Sequence, residues 1–365
     1  MKICFISGVI SRSGGTERVG IMIANELARR GYDVSILSFW NQGSPFFECH
    51  ESIKIYYLLN PKTEGKLYRT YVYPILKMRT FIKKLKFDVV IDIDTALSYY
   101  TLRAIKGMGV KHIAWEHFNY LHTIKDKKRL SAIKMIKRNS DQLVVLTKKD
   151  YQLHIEKESF DKEKIRYIYN PTPFEGKVAS YRNEKIFLAV GRLTEQKGFD
   201  LMLESWKNVE SVLEEWKLVI VGSGEDEEKL KDIINNNHLK RVHLIENTNN
   251  IEYWYDKASI YVMSSRYEGF PMVLLEAMAK GLPIISFDCV TGPNELIQNF
   301  KTGVLVEDKN ILELARIMIE LANDKKKQDE YAEESLKYIK NFHIVTITNQ
   351  WEILLKYVVK NENYK

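Results

Sequence analysis

The chain has 365 residues, of which 45% are hydrophobic and 28% are charged, a composition typical of soluble globular proteins. Two domains are expected, because a single hydrophobic core usually stops growing at about 250–300 residues. The formal net charge of +7 is mild and comes with no recognised nucleic-acid-binding motif, which argues against nucleic acid as a partner.

The cysteines argue against a structural zinc site, and the apolar runs argue against a membrane-spanning protein. Cys4, Cys49 and Cys289 are an odd number without the spacing of a metal site, so reduced thiols are expected and a structural zinc site is not. No apolar run reaches the length of a membrane span, and the first residues, MKICFISGVI, enter a predicted strand without a signal-peptide pattern. We therefore expect a cytoplasmic protein.

The first 170 residues alternate short β-rich runs with helical segments. The predicted strands are KICFIS, DVSILSFW, DVVIDI, KHIAWEH and QLVVLT, and the segment ERVGIMIANELARRG between the first two is a predicted helix. This alternation predicts βαβ units and therefore a parallel sheet.

The loop SGVISRSGGTERV follows the first predicted strand and leads into the first helix. Gly14 and Gly15 would let backbone N–H groups approach a ligand at a helix N-terminus, which favours negative charge. Their spacing from Gly8 is not that of the dinucleotide fingerprint, and DVSILSFW ends without the acidic residue that would hold an adenosine ribose. The pattern argues against a nicotinamide cofactor.

Two basic segments of the first half, 66–86 and 125–138, are predicted to contain amphipathic helices. One interpretation is a pair of solvated helices whose apolar stripes lie in the core. The other is a cationic face that docks on anionic lipid, with Tyr68, Tyr71 and Tyr73 at the interface. The residues predicted to face a membrane or an acceptor are Lys77, Arg79, Lys83, Lys84, Lys127, Lys128 and Arg129.

Asp92 and Asp94 lie two residues apart at the end of a predicted strand, where they could share a divalent cation. The alternative is a loop at the sheet end, which we favour because Arg192 and Lys197 already supply charge for a phosphate. No metal site is predicted.

The alternation breaks at IRYIYNPTPFEG, where Pro171, Pro173 and Gly176 predict a hinge, and then restarts. The next predicted strands are IFLAVGRL, KLVIVGSG, RVHLIE, ASIYVMSS, LPIISF and GVLVE, which make a second doubly wound sheet. The predicted domains are 1–170, completed by a returning C-terminal helix at 345–365, and 171–344. Ligands of such sheets bind beyond the carboxyl ends of the strands, so a cleft between the two domains is the expected site.

Two loops of the second half carry charge or glycine after a strand. VGRLTEQKGFD supplies Arg192 and Lys197, which suit a diphosphate leaving group because they stabilise the negative charge that grows as a bond breaks. VGSGEDEEKL supplies Gly222 and Gly224, a turn that suits a nucleotide edge and equally an ordinary strand-to-helix turn.

The stretch SSRYEGFPMVLLEAMAKGLPII places Glu268 and Glu276 on either side of a Gly-Phe-Pro turn. Pro271 suits the start of a helix that Gly281 and Pro283 would end. At about 1.5 Å per residue, eight residues of helix span roughly 12 Å. A hydrolase acid/base pair needs about 5 to 9.5 Å, so two contacts on one long ligand fit better.

The combined pattern closely resembles the retaining glycosyltransferases of family 4, which have the GT-B architecture. The motifs that carry the resemblance are GGTERV in the first half and GRLTEQKGFD, VGSGE, SSRYEGFPMVLLEAMAKGLPII and DCVTGPNELI in the second. The resemblance implies an α/β fold of two Rossmann-like doubly wound parallel-sheet domains facing across a cleft, the first on the acceptor side and the second binding the donor.

The resemblance also implies roles for single residues. Glu276 would hold the ribose of a sugar nucleotide, Glu268 would lie near the donor sugar, and Arg192 and Lys197 would bind the diphosphate. His117 in HIAWEHFNY stands where family members have a histidine facing the donor sugar, although a lone histidine is often structural. The predicted catalytic residues are His117, Glu268, Arg192 and Lys197. The predicted donor-binding residues are Gly14, Gly15, Arg192, Lys197, Gly222, Gly224, Glu268, Gly269, Phe270, Pro271 and Glu276.

The expected function is retaining transfer of a hexose or N-acetylhexosamine from a nucleotide diphosphate sugar to a glycan acceptor in bacterial surface polysaccharide or glycan assembly. A UDP-linked donor is expected from the likeness of DCVTGPNELI, while LIENTNNIEYWY departs from relatives and leaves the base open. The expected acceptor is lipid-linked, the expected location is the inner face of the cytoplasmic membrane, and no divalent metal or other cofactor is expected. The alternatives are a sugar-nucleotide epimerase or hydrolase on the same scaffold, and a non-catalytic protein that binds sugar nucleotides or a lipid surface.

Overall fold

The computed structural model describes residues 1–60, 72–174 and 184–360, which form two compact units. The first unit runs from Met1 to Pro171 and takes in the chain again from Ile344 onward, and the second runs from Thr172 to His343. Each is built on one parallel sheet with helices between its strands, so the predicted α/β class with two doubly wound sheets is confirmed.

The first unit contains a seven-stranded sheet with the strand order β3-β2-β1-β4-β5-β6-β7. Its strands are β1 (Lys2–Ser7), β2 (Asp33–Trp40), β3 (Lys54–Leu59), β4 (Val89–Asp92), β5 (Lys111–Trp115), β6 (Gln142–Val145) and β7 (Ile165–Tyr167). Its helices are α1 (Gly15–Arg29), α2 (Tyr73–Leu85), α3 (Ser98–Ala104), α4 (Tyr120–Thr123), α5 (Lys127–Asn139) and α6 (Lys148–Glu158). The edge strands β3 and β7 were not predicted from the sequence.

The second unit contains the six-stranded parallel sheet that the sequence predicts, and its strand order is β10-β9-β8-β11-β12-β13. Its strands are β8 (Ile186–Val190), β9 (Lys217–Val221), β10 (Val242–Ile245), β11 (Ile260–Met263), β12 (Ile284–Phe287) and β13 (Gly303–Val306). Its helices are α7 (Phe199–Glu210), α8 (Glu227–Asn236), α9 (Ile251–Lys257), α10 (Met272–Ala279), α11 (Pro293–Leu296), α12 (Ile311–Asn323) and α13 (Lys325–Tyr338).

The helix α14 (Ile344–Lys360) directly follows the second unit and packs within the first. Arg30, which directly follows α1, donates to Asn349 at 2.7 Å and to Glu352 at 2.8 Å. Trp351 is fully buried, and its ring meets Trp115 edge-on with the centroids 4.6 Å apart. The first unit therefore needs both of its chain segments to complete its core.

Some residues of the basic segment 66–86 and of the predicted hinge lie outside the described ranges. They include Tyr68, Tyr71 and Gly176. Within those ranges, no helix combines the length and the apolar character that crossing a bilayer requires.

His154 of α6 is fully buried with its ring edge-on to Tyr120 and Phe160, at centroid distances of 5.0 and 5.5 Å. Neither ring nitrogen has a hydrogen-bond partner within the described part of the chain. Burial among aromatic rings disfavours the charged form, which lowers the pKa of His154 to about 4. The ring is therefore a neutral packing group at pH 7.

We expect the free energy of unfolding to fall between about pH 6.5 and pH 4, in part because His154 stays neutral in the folded chain. An unfolded histidine binds a proton below about pH 6.5, whereas the folded one does so only near pH 4. Acid therefore favours the unfolded state across this window. Relative to the parent chain, His154→Phe should gain about 2 kcal/mol on going from pH 8 to pH 5. Urea unfolding at both pH values measures the gain, and an equal effect at both would contradict it.

Candidate functional site

In the second unit, the loops that follow β8 and β11 meet through an ion pair between Lys197 and Glu268. The Lys197 ammonium lies 2.7 Å from Glu268 Oε1, and the two side chains are only 17% and 7% exposed. The same carboxylate oxygen accepts from the Ser265 hydroxyl at 2.7 Å. Lys197 therefore has a carboxylate partner before any ligand arrives.

Further contacts fix the two loops against each other. Arg266 binds Asp200 through two hydrogen bonds of 2.8 Å, and these hold the pKa of that carboxyl below its usual value. A side chain at Gly198, which has φ +63°, would place its Cβ 2.1 Å from the Ser264 carbonyl oxygen. The loop carrying Glu268 is thus held in one position relative to Lys197.

Arg192, on the loop after β8, differs from Lys197. Its side chain is exposed, and no described residue hydrogen-bonds to it or forms an ion pair with it. The loop therefore carries one uncommitted guanidinium and one ammonium that is already paired.

Glu276 lies on α10 and is 6% exposed, and its carboxylate accepts from the Tyr255 hydroxyl of α9 at 2.7 Å. Tyr255 is itself buried and stacks on Tyr261 with ring centroids 5.8 Å apart. Burial raises the pKa of Tyr261, and Glu276 and Glu268 raise it further, so both carboxylates act on this one phenol. The structure thus brings the two predicted glutamates to the same buried tyrosine.

The helix between the two glutamates starts after Pro271, as the sequence predicts, but the estimate of their separation treated all eight residues as helical. The helix begins at Met272, with Pro271 as its N-cap residue, so Glu268 lies on the preceding loop. Gly269 belongs to the same loop. Phe270 is 6% exposed, and its ring packs against that of Phe342 with the centroids 6.3 Å apart. Any contact that Phe270 makes with a donor would therefore come from its backbone.

Gly222 and Gly224 have a structural reason to be glycine. A Cβ on Gly222 would lie 1.9 Å from the Gly191 carbonyl oxygen, and one on Gly224 would lie 2.3 Å from the Leu193 carbonyl oxygen. Close packing of the loops after β8 and β9 accounts for both glycines, and their contact with a ligand stays a prediction.

In the first unit, His117 follows β5 and its ring packs on Trp115, with the centroids 4.6 Å apart. Its Nε2 atom is shielded from solvent and has no hydrogen-bond partner among the residues that the structure describes. Burial lowers the pKa of His117 to about 4, so the ring is neutral at pH 7. A neutral imidazole with a free nitrogen is suited to a hydrogen bond with a ligand hydroxyl.

Glu116 does not orient His117. Its buried carboxylate accepts from the Thr95 hydroxyl at 2.6 Å and from the Phe118 backbone N–H at 3.0 Å. Burial is the main cause that raises the pKa of Glu116 to about 7, and the neighbouring Asp94 adds to it.

The start of α1 already holds a carboxylate. Gly14 is the N-cap residue and Gly15 is the first residue of the helix, in whose first turn Glu17 lies. A Cβ on Gly14 would come within 2.5 Å of Glu17 Oε2. The negative charge of Glu17 counts against an anionic ligand at this N-terminus.

Asp92 and Asp94 are both engaged by protein groups. Asp92 is fully buried and accepts from Ser98, Thr101 and His112 at 2.7 to 2.8 Å. Asp94 receives two hydrogen bonds of 2.9 Å from Arg129. Across the described ranges, no group of three or more His, Cys, Asp or Glu residues could hold a metal ion.

Two arginines of the predicted cationic face are engaged by other groups of the first unit. Arg129 is only 14% exposed, because it is bound to Asp94 and lies over the Phe118 ring at 4.0 Å. Arg79 donates to the carbonyl oxygens of Ala104 and Lys106 at 2.8 Å, at the end of α3 and just beyond it. The basic residues that do lie exposed are Lys77, Lys83, Lys84, Lys127 and Lys128.

Sequence reasoning missed Ser265, Tyr255 and Glu17. Ser265 stands three residues from Glu268 and could have been considered for that reason. Tyr255 is 21 residues from its partner Glu276 and on another helix, so nothing in the local pattern pairs them.

Comparison with known families and proteins places this geometry among enzymes of sugar transfer. Residues 172–338 match the family described as Glycosyl transferases group 1, and residues 13–175 match Glycosyltransferase Family 4. An uncharacterized glycosyltransferase of Haemophilus influenzae is 35% identical, over 97% of this chain and 99% of the relative.

Two further proteins are similar over nearly their whole length. The Campylobacter jejuni GalNAc-alpha-(1->4)-GalNAc-alpha-(1->3)-diNAcBac-PP-undecaprenol alpha-1,4-N-acetyl-D-galactosaminyltransferase is 27% identical, over 100% of this chain and 99% of the relative. The crystal structure of Anabaena HepE in complex with UDP and glucose has a TM-score of 0.80 at 17% identity, over 98% of this chain and 99% of that chain.

We expect Gly222→Ala to destabilise the second unit, since its methyl group would overlap the Gly191 carbonyl. Overpacking of this kind typically costs about 1–3 kcal/mol. Gly109→Ala is the matched control, because a Cβ at Gly109 would have no other atom within 4 Å and its φ is not in the left-handed region. Thermal unfolding of both variants without ligand measures the cost, and an unchanged midpoint for Gly222→Ala would contradict the packing role.

Proposed function

The chain belongs to the glycosyltransferases of group 1 and family 4, and on that premise we propose that it moves a hexose or N-acetylhexosamine from a UDP-sugar to a hydroxyl of a lipid-linked glycan. Family 4 enzymes are retaining. The observation that carries the proposal is the meeting of the loops after β8 and β11 through the Lys197–Glu268 pair, with exposed Arg192 on the same loop as Lys197.

The diphosphate of the donor binds Arg192 and Lys197. Arg192 has a guanidinium free to make two parallel hydrogen bonds to phosphate oxygens. Lys197 has three N–H donors, so it can keep Glu268 and still bind a phosphate. As the bond from the sugar to the diphosphate breaks, both cations stabilise the charge that develops on the leaving group.

In the second unit, the donor's ribose and sugar are held by carboxylates. Glu276, fixed by Tyr255, accepts hydrogen bonds from the ribose hydroxyls. Glu268, fixed by Ser265 and Lys197, lies near the sugar. In the first unit, His117 offers its neutral ring to a sugar hydroxyl, and its low pKa keeps this interaction free of charge at neutral pH.

Retention proceeds without a covalent sugar–enzyme intermediate. Glu268 already accepts from Lys197 and Ser265, and Glu276 accepts from Tyr255, so neither is an unengaged nucleophile. The acceptor oxygen bonds to the anomeric carbon on the face from which the diphosphate departs. The hydroxyl proton passes to a diphosphate oxygen, and no divalent metal is required.

The acceptor proposal rests on the name of the Campylobacter relative, whose substrate carries undecaprenol, and on the surface of α2. Val72, Tyr73 and Leu76 expose 36 to 49% of their surface at the start of this helix, and Lys83 and Lys84 are exposed near its end. Apolar and cationic side chains together suit the surface of an anionic bilayer.

The choice of uridine as the base of the donor is supported by similar structures that were determined with UDP bound.

Arg192→Ala should lower turnover about 10²–10³-fold, because it removes one donor to the charge of the leaving diphosphate. A panel of UDP-sugars with an undecaprenyl diphosphate glycan as acceptor measures turnover, and Arg29→Ala, an exposed arginine on α1, is the control. EDTA should leave the rate of sugar transfer unchanged.

Loss of the donor at the full rate without acceptor would instead indicate a hydrolase or epimerase. Binding of UDP with every donor left intact would indicate a non-catalytic protein.

Binding to anionic liposomes at moderate salt should weaken at least about thirtyfold when Lys83 and Lys84 are both changed to glutamate, since each basic residue near such a surface contributes about 1 kcal/mol. Changing Lys325 and Lys326 to glutamate is the charge-matched control, because these lysines are 66% and 89% exposed on α13. Equal sedimentation of both double variants would contradict docking through α2.

A further inference from the structure

The second unit contains a cavity that shares no residue with the candidate donor site. Its volume is about 470 Å³, within the usual range of ligand pockets. Its walls come from the turn before β13, from β13 itself, from α12 and from the start of α13. The lining residues are Phe300, Val304, Arg316, Ile317, Glu320, Leu321, Asp324 and Lys327.

Phe300 lies at this cavity in a backbone conformation that favours glycine. Its φ is +60°, a genuine outlier for a bulky side chain. Its N–H donates to the Gly303 carbonyl at 2.8 Å, and the Asn299 side chain accepts from Leu305 N–H at 2.9 Å, so the turn is firmly held. The ring is 66% exposed. The chain therefore carries backbone strain at a residue whose ring does not serve the core.

The chemistry of the lining favours a neutral polyhydroxylated ligand. Val304, Ile317 and Leu321 make an apolar floor that is less than 10% exposed. The charged lining residues are two cations, Arg316 and Lys327, and two anions, Glu320 and Asp324. These charges sum to zero, and Arg316 is already paired with Glu320 and with Glu313 outside the lining, so the cavity offers no uncommitted guanidinium to an anion such as a phosphate. Both hydrogen-bond donors and acceptors face it, as alternating hydroxyl groups require.

We propose that this cavity is a second carbohydrate site, which binds one neutral sugar unit of a glycan. The apolar C–H face of the pyranose packs on the Phe300 ring, and its hydroxyls bond to Glu320, Asp324 and Lys327. The site is separate from the donor machinery, and it rests on the proposed function only in expecting glycans as natural ligands. Its role is to retain a glycan, with no part in breaking or forming the glycosidic bond.

Saturation-transfer NMR with the methyl glycosides of glucose, galactose, N-acetylglucosamine and N-acetylgalactosamine tests the proposal. Saturating UDP is present throughout, so that the donor site is occupied. At least one glycoside should show transfer to its ring protons, and Phe300→Gly should weaken its binding about tenfold by removing the stacking surface. Phe300→Tyr should restore binding.

Two controls separate loss of the site from loss of the fold. Phe300→Gly should not lower the midpoint of thermal unfolding, because glycine adopts the left-handed conformation without strain. Phe46→Ala removes an aromatic side chain of similar exposure, 53%, in the first unit and should leave glycoside binding unchanged.

Two results would overturn the proposal: no saturation transfer to any of the four glycosides with UDP present, or equal saturation transfer in Phe300→Gly. Sugar transfer to a short soluble acceptor should stay at the parental rate in Phe300→Gly. A loss of that rate in the Arg192→Ala variant but not in Phe300→Gly keeps the two proposals distinguishable.

Discussion

The ion pair between Lys197 and Glu268 is the contact on which the candidate donor site depends. Both charges are largely removed from water, which is costly unless they stay together and their remaining hydrogen-bonding capacity is used. Ser265 supplies that second partner, and hydrogen bonds from Ser264 to the Lys197 carbonyl and from Arg266 to Asp200 hold the loops together. This single ion pair therefore positions both a cation for the phosphate and a carboxylate for the sugar. Arg192 is left available to bind a ligand.

In the first unit, the aspartates near the end of β4 are bound to other residues of that unit. Asp92 is saturated by Ser98, Thr101 and His112, and Asp94 is held by Arg129. What is left for a ligand is a neutral imidazole that lies on an indole ring. A surface of this kind recognises hydroxyl groups by hydrogen bonding, whereas the loop with Arg192 recognises phosphate charge.

The sequence predicted most of the fold but less of the site, for physical reasons. Most strands of the second sheet were found because buried parallel strands are continuous apolar runs, whereas β3 and β7 lie at the edges and are only partly buried. The edge strand β10 is also partly buried, but its apolar residues Val242, Leu244 and Ile245 still gave a signal. The motif around Glu268 was visible, but Tyr255 was not, since its hydroxyl meets a carboxylate from another helix. Arg79 and Arg129 were taken for surface charge because their acceptors, two carbonyl oxygens and Asp94, are distant in the chain.

The return of α14 to the first unit has a consequence for synthesis on the ribosome. Trp351, which covers Trp115 beneath His117, is translated after every residue of the second unit. The nascent chain can complete the second unit, whose sequence is continuous, while the first still has an open flank where the indole will lie. Of the two units, the one that begins to emerge earlier is thus the later to close.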